Sequence, residues 1–118
     1  MKVLVVDDEP QVNRLVGITL KRAGYSTDSA SDGAEAIERL AETSYDAMVL
    51  DLMMPRVDGF GVVEYLATHR PEMLAKTVVL TASPREAARQ RLGDVCHIVS
   101  KPFDLDTLIS TVRLCVAS

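Results

Sequence analysis

The sequence predicts an α/β protein, a doubly wound parallel sheet of five strands in (βα)5 order, and two observations carry that reading. Short apolar runs alternate with segments of helical period along the chain. The runs are apolar at consecutive positions instead of every second one, as strands buried on both faces require. Strands that alternate with helices demand right-handed crossovers, which place helices on both sides of one sheet.

The elements follow in order. Lys2–Val6 is the first buried strand, and a helix follows with Val12, Leu15, Val16, Leu20 and Ala23 on one face, Pro10 near its start and Gly24 as its stop. Ser26–Ala30 is short and polar, which suits an edge strand. Asp32 can cap a second helix carrying Ala34, Ile37, Leu40 and Ala41. Ala47–Leu50 is the third strand, and Phe60, Val63, Leu66 and Ala67 give a third helix. Thr77–Leu80 is the fourth strand. The helical segment after it, Pro84–Leu92, is weakly apolar, with mainly Ala87, Ala88 and Leu92. Val95–Val99 is the fifth strand. A final helix with Leu105, Leu108, Ile109, Val112, Cys115 and Val116 is expected to run to the last residue, with Asp104 and Asp106 complementing the dipole at its amino end.

The bulk properties narrow the function. The chain has 118 residues, enough for one hydrophobic core, with 47% apolar and 25% charged residues. A net charge of −4 gives no footprint for nucleic acid, and the longest apolar runs are far too short for a membrane span. Met1-Lys2 leads directly into the first strand without a cleavage site, so no signal peptide is expected and the cytoplasm is the expected compartment. Cys96 and Cys115 have no metal-ligand spacing; they read as two thiols in a reducing cytosol, and no disulfide is expected.

The residues leaving the buried strands carry the chemistry. Asp7 and Asp8 follow the first strand, Asp51 the third, Thr81 the fourth, and Lys101, preceded by Ser100, the fifth. In an open α/β sheet, ligands bind at the carboxyl ends of the strands. Three carboxylates in one crevice repel one another, and a hard divalent cation relieves that repulsion. Oxygen-only ligands favour Mg²⁺, with Mn²⁺ as a substitute. Asp51, on the central strand, is then the natural nucleophile toward a phosphoryl group. Mg²⁺ would neutralise one phosphoryl oxygen, Lys101 a second, and the Thr81 hydroxyl with the Ala82 backbone N–H a third.

With these residues in place, the chain resembles the receiver domains of two-component response regulators from end to end, residues 1–118. The matching stretches are VVDDEP at Val5–Pro10, DLMMPRVDGF at Asp51–Phe60, VLTAS at Val79–Ser83 and SKPF at Ser100–Phe103. The resemblance implies a flavodoxin-like sheet of strand order 2-1-3-4-5. It implies Asp51 as phosphoacceptor, Asp8 as a direct magnesium ligand, Asp7 acting through water and the Met53 backbone carbonyl as a further ligand. Thr81 is the switch hydroxyl, Ala82 and Lys101 contact the phosphoryl group, and Pro55, Gly59 and a cis Pro102 shape the site. The implied partners are a sensor histidine kinase or phosphotransfer protein, and a downstream effector addressed by a surface of the fourth helical segment, fifth strand and final helix. Beyond its own phosphorylation and dephosphorylation, no enzymatic activity is implied.

Three departures stand out. Ile98 replaces the aromatic residue common three positions before the lysine, and the stretch from Thr81 to Lys101 is about two residues short, with Gly93-Asp94 in its turn. His97 and Thr111 occupy the positions of an acid–arginine pair that holds the dimer of winged-helix regulators. Arg85, Arg89, Arg91 and Arg113 leave that face basic, so a monomer, or a dimer through another surface, is expected in place of that dimer. Each singled-out residue also has a plainer reading. Glu9 reads as a solvated acid, Asp58-Gly59 as a turn and helix start, His69 as exposed, His97 as packing or surface, and Met48, Met53 and Met54 as packing side chains. Two rival functions fit less well. An aspartate-nucleophile phosphatase wants a second acid where Met53 stands, and a flavodoxin-type electron carrier wants a hydroxyl- or glycine-rich loop where Asp7-Asp8-Glu9 stands.

Overall fold

In a computed structural model of the chain, which describes residues 1–53, 58–82 and 94–117, the alternating apolar runs form one parallel sheet. Its strands are β1 (Lys2–Val6), β2 (Ser26–Ala30), β3 (Ala47–Asp51), β4 (Thr77–Thr81) and β5 (His97–Ser100), in the order β2-β1-β3-β4-β5. The helices are α1 (Pro10–Arg22), α2 (Gly33–Glu42), α3 (Gly59–His69) and the final helix α4 (Leu105–Val116), with a 3-10 turn over Pro71–Lys76 before β4. The expected helical segment at 84–92 lies outside the described residues, as do Arg85, Arg89, Arg91 and Gly93.

The inner strands β1, β3 and β4 are apolar along most of their length because each face of the sheet meets its own layer. Val3, Val5, Ala47, Val49, Val78 and Leu80 pack against Val16 and Leu20 of α1 and Leu108, Val112 and Cys115 of α4. Leu4, Val6, Met48 and Leu50 point the other way, against Ala36 and Leu40 of α2 and Val62 and Leu66 of α3. Burial on this scale, about 1.5–3 kcal/mol per large side chain, is what opposes the entropy of ordering the chain.

Several sequence expectations shift here. In α1 the core-facing stripe runs from half-buried Val12 through buried Val16 and Leu20 to half-buried Ala23 just past the helix, so Leu15 falls on its flank and is 51% exposed. In α2 Ala36 takes the core position expected of Ala41, and in α3 Val62 takes that of Ala67; both expected alanines are exposed. β5 starts at His97 instead of Val95 and buries only Val99, as the outer strand of the sheet. His69 stands in the last turn of α3, exposed and stacked on Tyr65, and His97 is exposed. The final helix ends at Val116.

The cysteine expectation is corrected outright. Cys96 and Cys115 form a disulfide, with Cα atoms 5.9 Å apart. The reason is topological: α4 runs back antiparallel to β5, so its last turn returns to the residue that precedes the strand.

At the opposite side of the sheet, β2 is polar as expected of an edge. Asp28 on it accepts a 2.8 Å hydrogen bond from the Tyr45 hydroxyl and lies 3.4 Å from Lys2 Nζ. The Tyr45 bond chiefly, with Lys2 helping, holds the Asp28 carboxyl below its usual range. Tyr45, desolvated and beside that carboxylate, is pushed up to about 12.

Candidate functional site

The carboxyl edge of the sheet gathers the acids. Asp7 follows β1 directly, and Asp51 and Thr81 are the final residues of β3 and β4. These three are buried, while Asp8 is half-buried. One carboxylate oxygen from each of Asp7, Asp8 and Asp51 lies within 4.8 Å of the others. Lys101, just past β5, projects between two of them: its Nζ is 3.3 Å from Asp51 Oδ1 and 3.8 Å from Asp7 Oδ2. Its backbone N–H donates to the Thr81 carbonyl at 2.8 Å, which ties the lysine to β4, and the Lys101–Pro102 bond is cis.

Backbone donors aim the acids. The Glu9 N–H donates to Asp7 Oδ1 at 2.9 Å and the Met53 N–H to Asp51 Oδ1 at 3.3 Å. Asp7 Oδ2 is buried without a hydrogen-bond partner, an oxygen whose lone pairs a cation would satisfy. Burial is the main cause that raises the Asp7 carboxyl, to about 6 from its ordinary 3.8, with Asp51 and Asp8 adding repulsion and Glu9 N–H and Lys101 opposing. Burial also raises Asp51, against the pull of Lys101. A hard, oxygen-seeking cation fits this donor set, because all three donors are carboxylates and their crowding is what the metal would relieve.

Gly59 is fixed by contact. A Cβ there would meet Leu52 Cα at 2.5 Å and Asp51 O at 2.6 Å, so only glycine lets the start of α3 lie against the end of β3. The Gly59 N–H uses that proximity to donate to the Leu52 carbonyl at 2.9 Å. Asp58 caps α3 by accepting from the Gly61 N–H, so the turn-and-helix-start reading of Asp58-Gly59 holds. Glu9 is exposed, as expected of a solvated acid. Met53 is not a packing side chain: it is 70% exposed at the rim, whereas Met48 is fully buried. Ala82 is exposed beside Thr81, and Ile98 packs partly buried near Leu52 and Val79. Pro55 and Met54 lie outside the described residues.

Asn13 was not anticipated. From α1 its side-chain amide donates to the carbonyls of Ala30 at 2.9 Å and Asp7 at 3.1 Å, joining the ends of β1 and β2 beneath the acids. The only signal was a polar residue one position after Val12, which reads equally well as a solvated face.

A doubly wound α/β sheet with an acidic crevice and an opposed lysine at the carboxyl ends of its strands belongs to the open α/β proteins that bind ligands at that edge. The comparisons narrow it. Residues 3–113 match the family described as the response regulator receiver domain, and the chain belongs to that family. It is 42% identical over 115 residues to the transcriptional regulatory protein ResD of Bacillus subtilis, covering 95% of this chain and 46% of that protein. It is 35% identical over 117 residues to the transcriptional regulatory protein TcrA of Mycobacterium tuberculosis, covering 96% and 45%. The chain thus spans about half the length of these curated relatives. Among solved structures, the response regulator TrrA of Thermotoga maritima in complex with Mg(2+)-BeF superposes with a TM-score of 0.87 at 30% identity, covering 97% of both chains. The chemotaxis protein CheY4 of Vibrio cholerae gives 0.86 at 28%, again over 97% of both.

Proposed function

We propose that residues 1–118 act as the phosphoacceptor of a two-component relay, with Asp51 receiving the phosphoryl group. The observation that carries the reading is the Lys101 ammonium set between the buried Asp51 and Asp7 carboxylates, with Asp8 beside them. Asp7, Asp8, Asp51 and the Met53 carbonyl would hold Mg²⁺ or Mn²⁺, which supplies charge neutralisation for the crowded acids and for a phosphoryl oxygen. An Asp51 carboxylate oxygen attacks phosphorus; the new O–P bond forms as the bond to the donor breaks, an N–P bond when the donor is a kinase or phosphotransfer histidine. Lys101 neutralises a second equatorial oxygen, and the Thr81 hydroxyl with the Ala82 N–H accommodates the third.

The reading places the protein in the cytoplasm, where it takes its phosphoryl group from a sensor histidine kinase, a phosphotransfer protein or a small phosphodonor. Phosphorylation would change the face of the segment before β5, β5 and α4 and so address an effector. The names of ResD and TcrA make gene regulation the output to test first in a longer protein. The domain itself binds neither nucleic acid nor membrane in this reading; no described helix is long and apolar enough to cross one. It does not dimerise through that face when phosphorylated, since His97 and Thr111 replace the pair that would join two copies there. Thr111 is buried, its hydroxyl donating to the Thr107 carbonyl. The phosphatase alternative is disfavoured by Met53, which stands exposed where a general acid would be needed.

Labelling by acetyl phosphate with Mg²⁺ tests the proposal. One phosphoryl group per chain is expected, absent from Asp51→Asn; full labelling of that variant would move the acceptor elsewhere.

A further inference from the structure

The Cys96–Cys115 bond joins sulfurs in unlike settings. Cys115 is fully buried against the face of the sheet that packs α1 and α4, whereas Cys96 is half-buried at the edge of that cluster. The Cys96 N–H donates to the carbonyls of Thr77 at 2.9 Å and Leu74 at 3.1 Å, which fixes it beside the first residue of β4. The bond therefore lies at the amino edge of the sheet, opposite the acids. The loop it closes, with 19 residues of separation, contains all of β5, Lys101 and α4 as far as Cys115. Closing such a loop restricts the unfolded chain and so stabilises the fold.

We propose that Cys96–Cys115 is a thiol–disulfide exchange site whose reaction partners are low-molecular-weight thiols and disulfides, and that it sets how firmly the last turn of α4 is held to the sheet. The choice of an exchanging bond over a permanent one rests on the cytoplasmic reading above, because cytosolic disulfides are characteristically transient. Cys96 is the point of attack, since access governs exchange and Cys115 has none. An incoming thiolate bonds Cys96 Sγ as the Cys96–Cys115 bond breaks, and Cys115 leaves as a thiolate that takes up a proton. A second thiol then attacks the mixed disulfide and releases Cys96 as a thiol. The protein gains two electrons and two protons, and two small thiols become one disulfide. Oxidised small thiol reverses each step. Asp7, Asp51 and Lys101 take no part.

The test uses the whole chain under native conditions. After incubation with dithiothreitol, acid quenching and alkylation in denaturant, two labels per chain are expected, against none before reduction. The Tm should fall by roughly 10 °C and recover with oxidised glutathione. Amide exchange in the last turn of α4 should quicken by about tenfold or more, with β1 and β3 unchanged. Cys115→Ser should show no Tm response to dithiothreitol. A bond that resists dithiothreitol until the protein is unfolded, or two thiols that oxidised glutathione cannot join, would overturn the proposal. Acetyl phosphate labelling of Asp51 is expected to be equal in both redox states. Its absence from both would count against the phosphoacceptor reading and leave the thiol result standing.

Discussion

Lys101 Nζ lies 3.3 Å from Asp51 Oδ1, so the ammonium neutralises the proposed nucleophile before any phosphoryl group arrives. The same ammonium would serve an equatorial oxygen afterwards, so it exchanges one anion for another at little cost. Lys101→Met should slow acetyl phosphate labelling of Asp51 by about 100-fold, the usual loss on removing one charge-stabilising donor. Phosphorylated species resolved over time by mass spectrometry will show it; an unchanged rate would remove Lys101 from the chemistry.

Asp7 predicts an unusual pH dependence. Its carboxyl is raised to about 6 in the fold against an ordinary 3.8, so the folded state holds that proton more tightly than the unfolded state. The stability this contributes is full below about pH 4 and is lost as pH rises toward 6, about 2–3 kcal/mol for one such group. Without metal, Asp7→Asn should gain on wild type over that window by urea denaturation. Asp28, with its lowered carboxyl, has the opposite slope and is common to both proteins. A constant difference between the two from pH 4 to 7 would contradict the assignment.

Magnesium should reverse that loss. At a concentration 100 times its Kd, a ligand that binds only the fold adds about 2.7 kcal/mol. Asp8→Ala should blunt the Mg²⁺-dependent rise in Tm and raise the metal-free Tm by removing one of three crowded charges. An identical Mg²⁺ response in both proteins would argue against Asp8 as a ligand.

Gly59→Ala forces a methyl group onto backbone, not onto a flexible side chain, so β3 or α3 must move. A loss of about 1–3 kcal/mol is expected, with slower Asp51 labelling because the Asp51 carbonyl is one of the atoms displaced. Urea midpoints and labelling rates together check it.

Leu20 and Leu15 separate true core from apparent core. Leu20 is fully buried and Leu15 is 51% exposed, though one helical pattern includes both. Leu20→Ala should cost about 2–5 kcal/mol and Leu15→Ala less than about 0.5, by urea denaturation.

That pair also shows what the residues alone can convey. The ends of β1, β3 and β4 were legible because a buried parallel strand announces itself by unbroken apolar residues, and the first polar residue afterwards must lie at the sheet edge. Asp7, Asp51 and Thr81 were found that way. Which face of a helix is buried is a finer matter, decided by the angle at which it meets the sheet, so Leu15, Ala41 and Ala67 were misplaced. The 3-10 turn at Pro71–Lys76 is too short to show a period. The disulfide left no trace because the pairing depends on where α4 ends its return path, and no local spacing records that. Asn13 was hidden for a related reason: its acceptors are backbone carbonyls, which have no sequence identity.

The outer strand β2 has a consequence for solubility. An edge strand is a template on which another chain can build a further strand. Here Asp28 stands on that template, kept ionised by the Tyr45 hydroxyl and Lys2 into unusually acid solution. A further strand adding along β2 would strip water from this charged side chain. The tyrosine, by donating a hydrogen bond to that carboxylate, keeps a charge on the edge strand and so raises the desolvation cost of extending the sheet from a surface far from the acids at the strand ends.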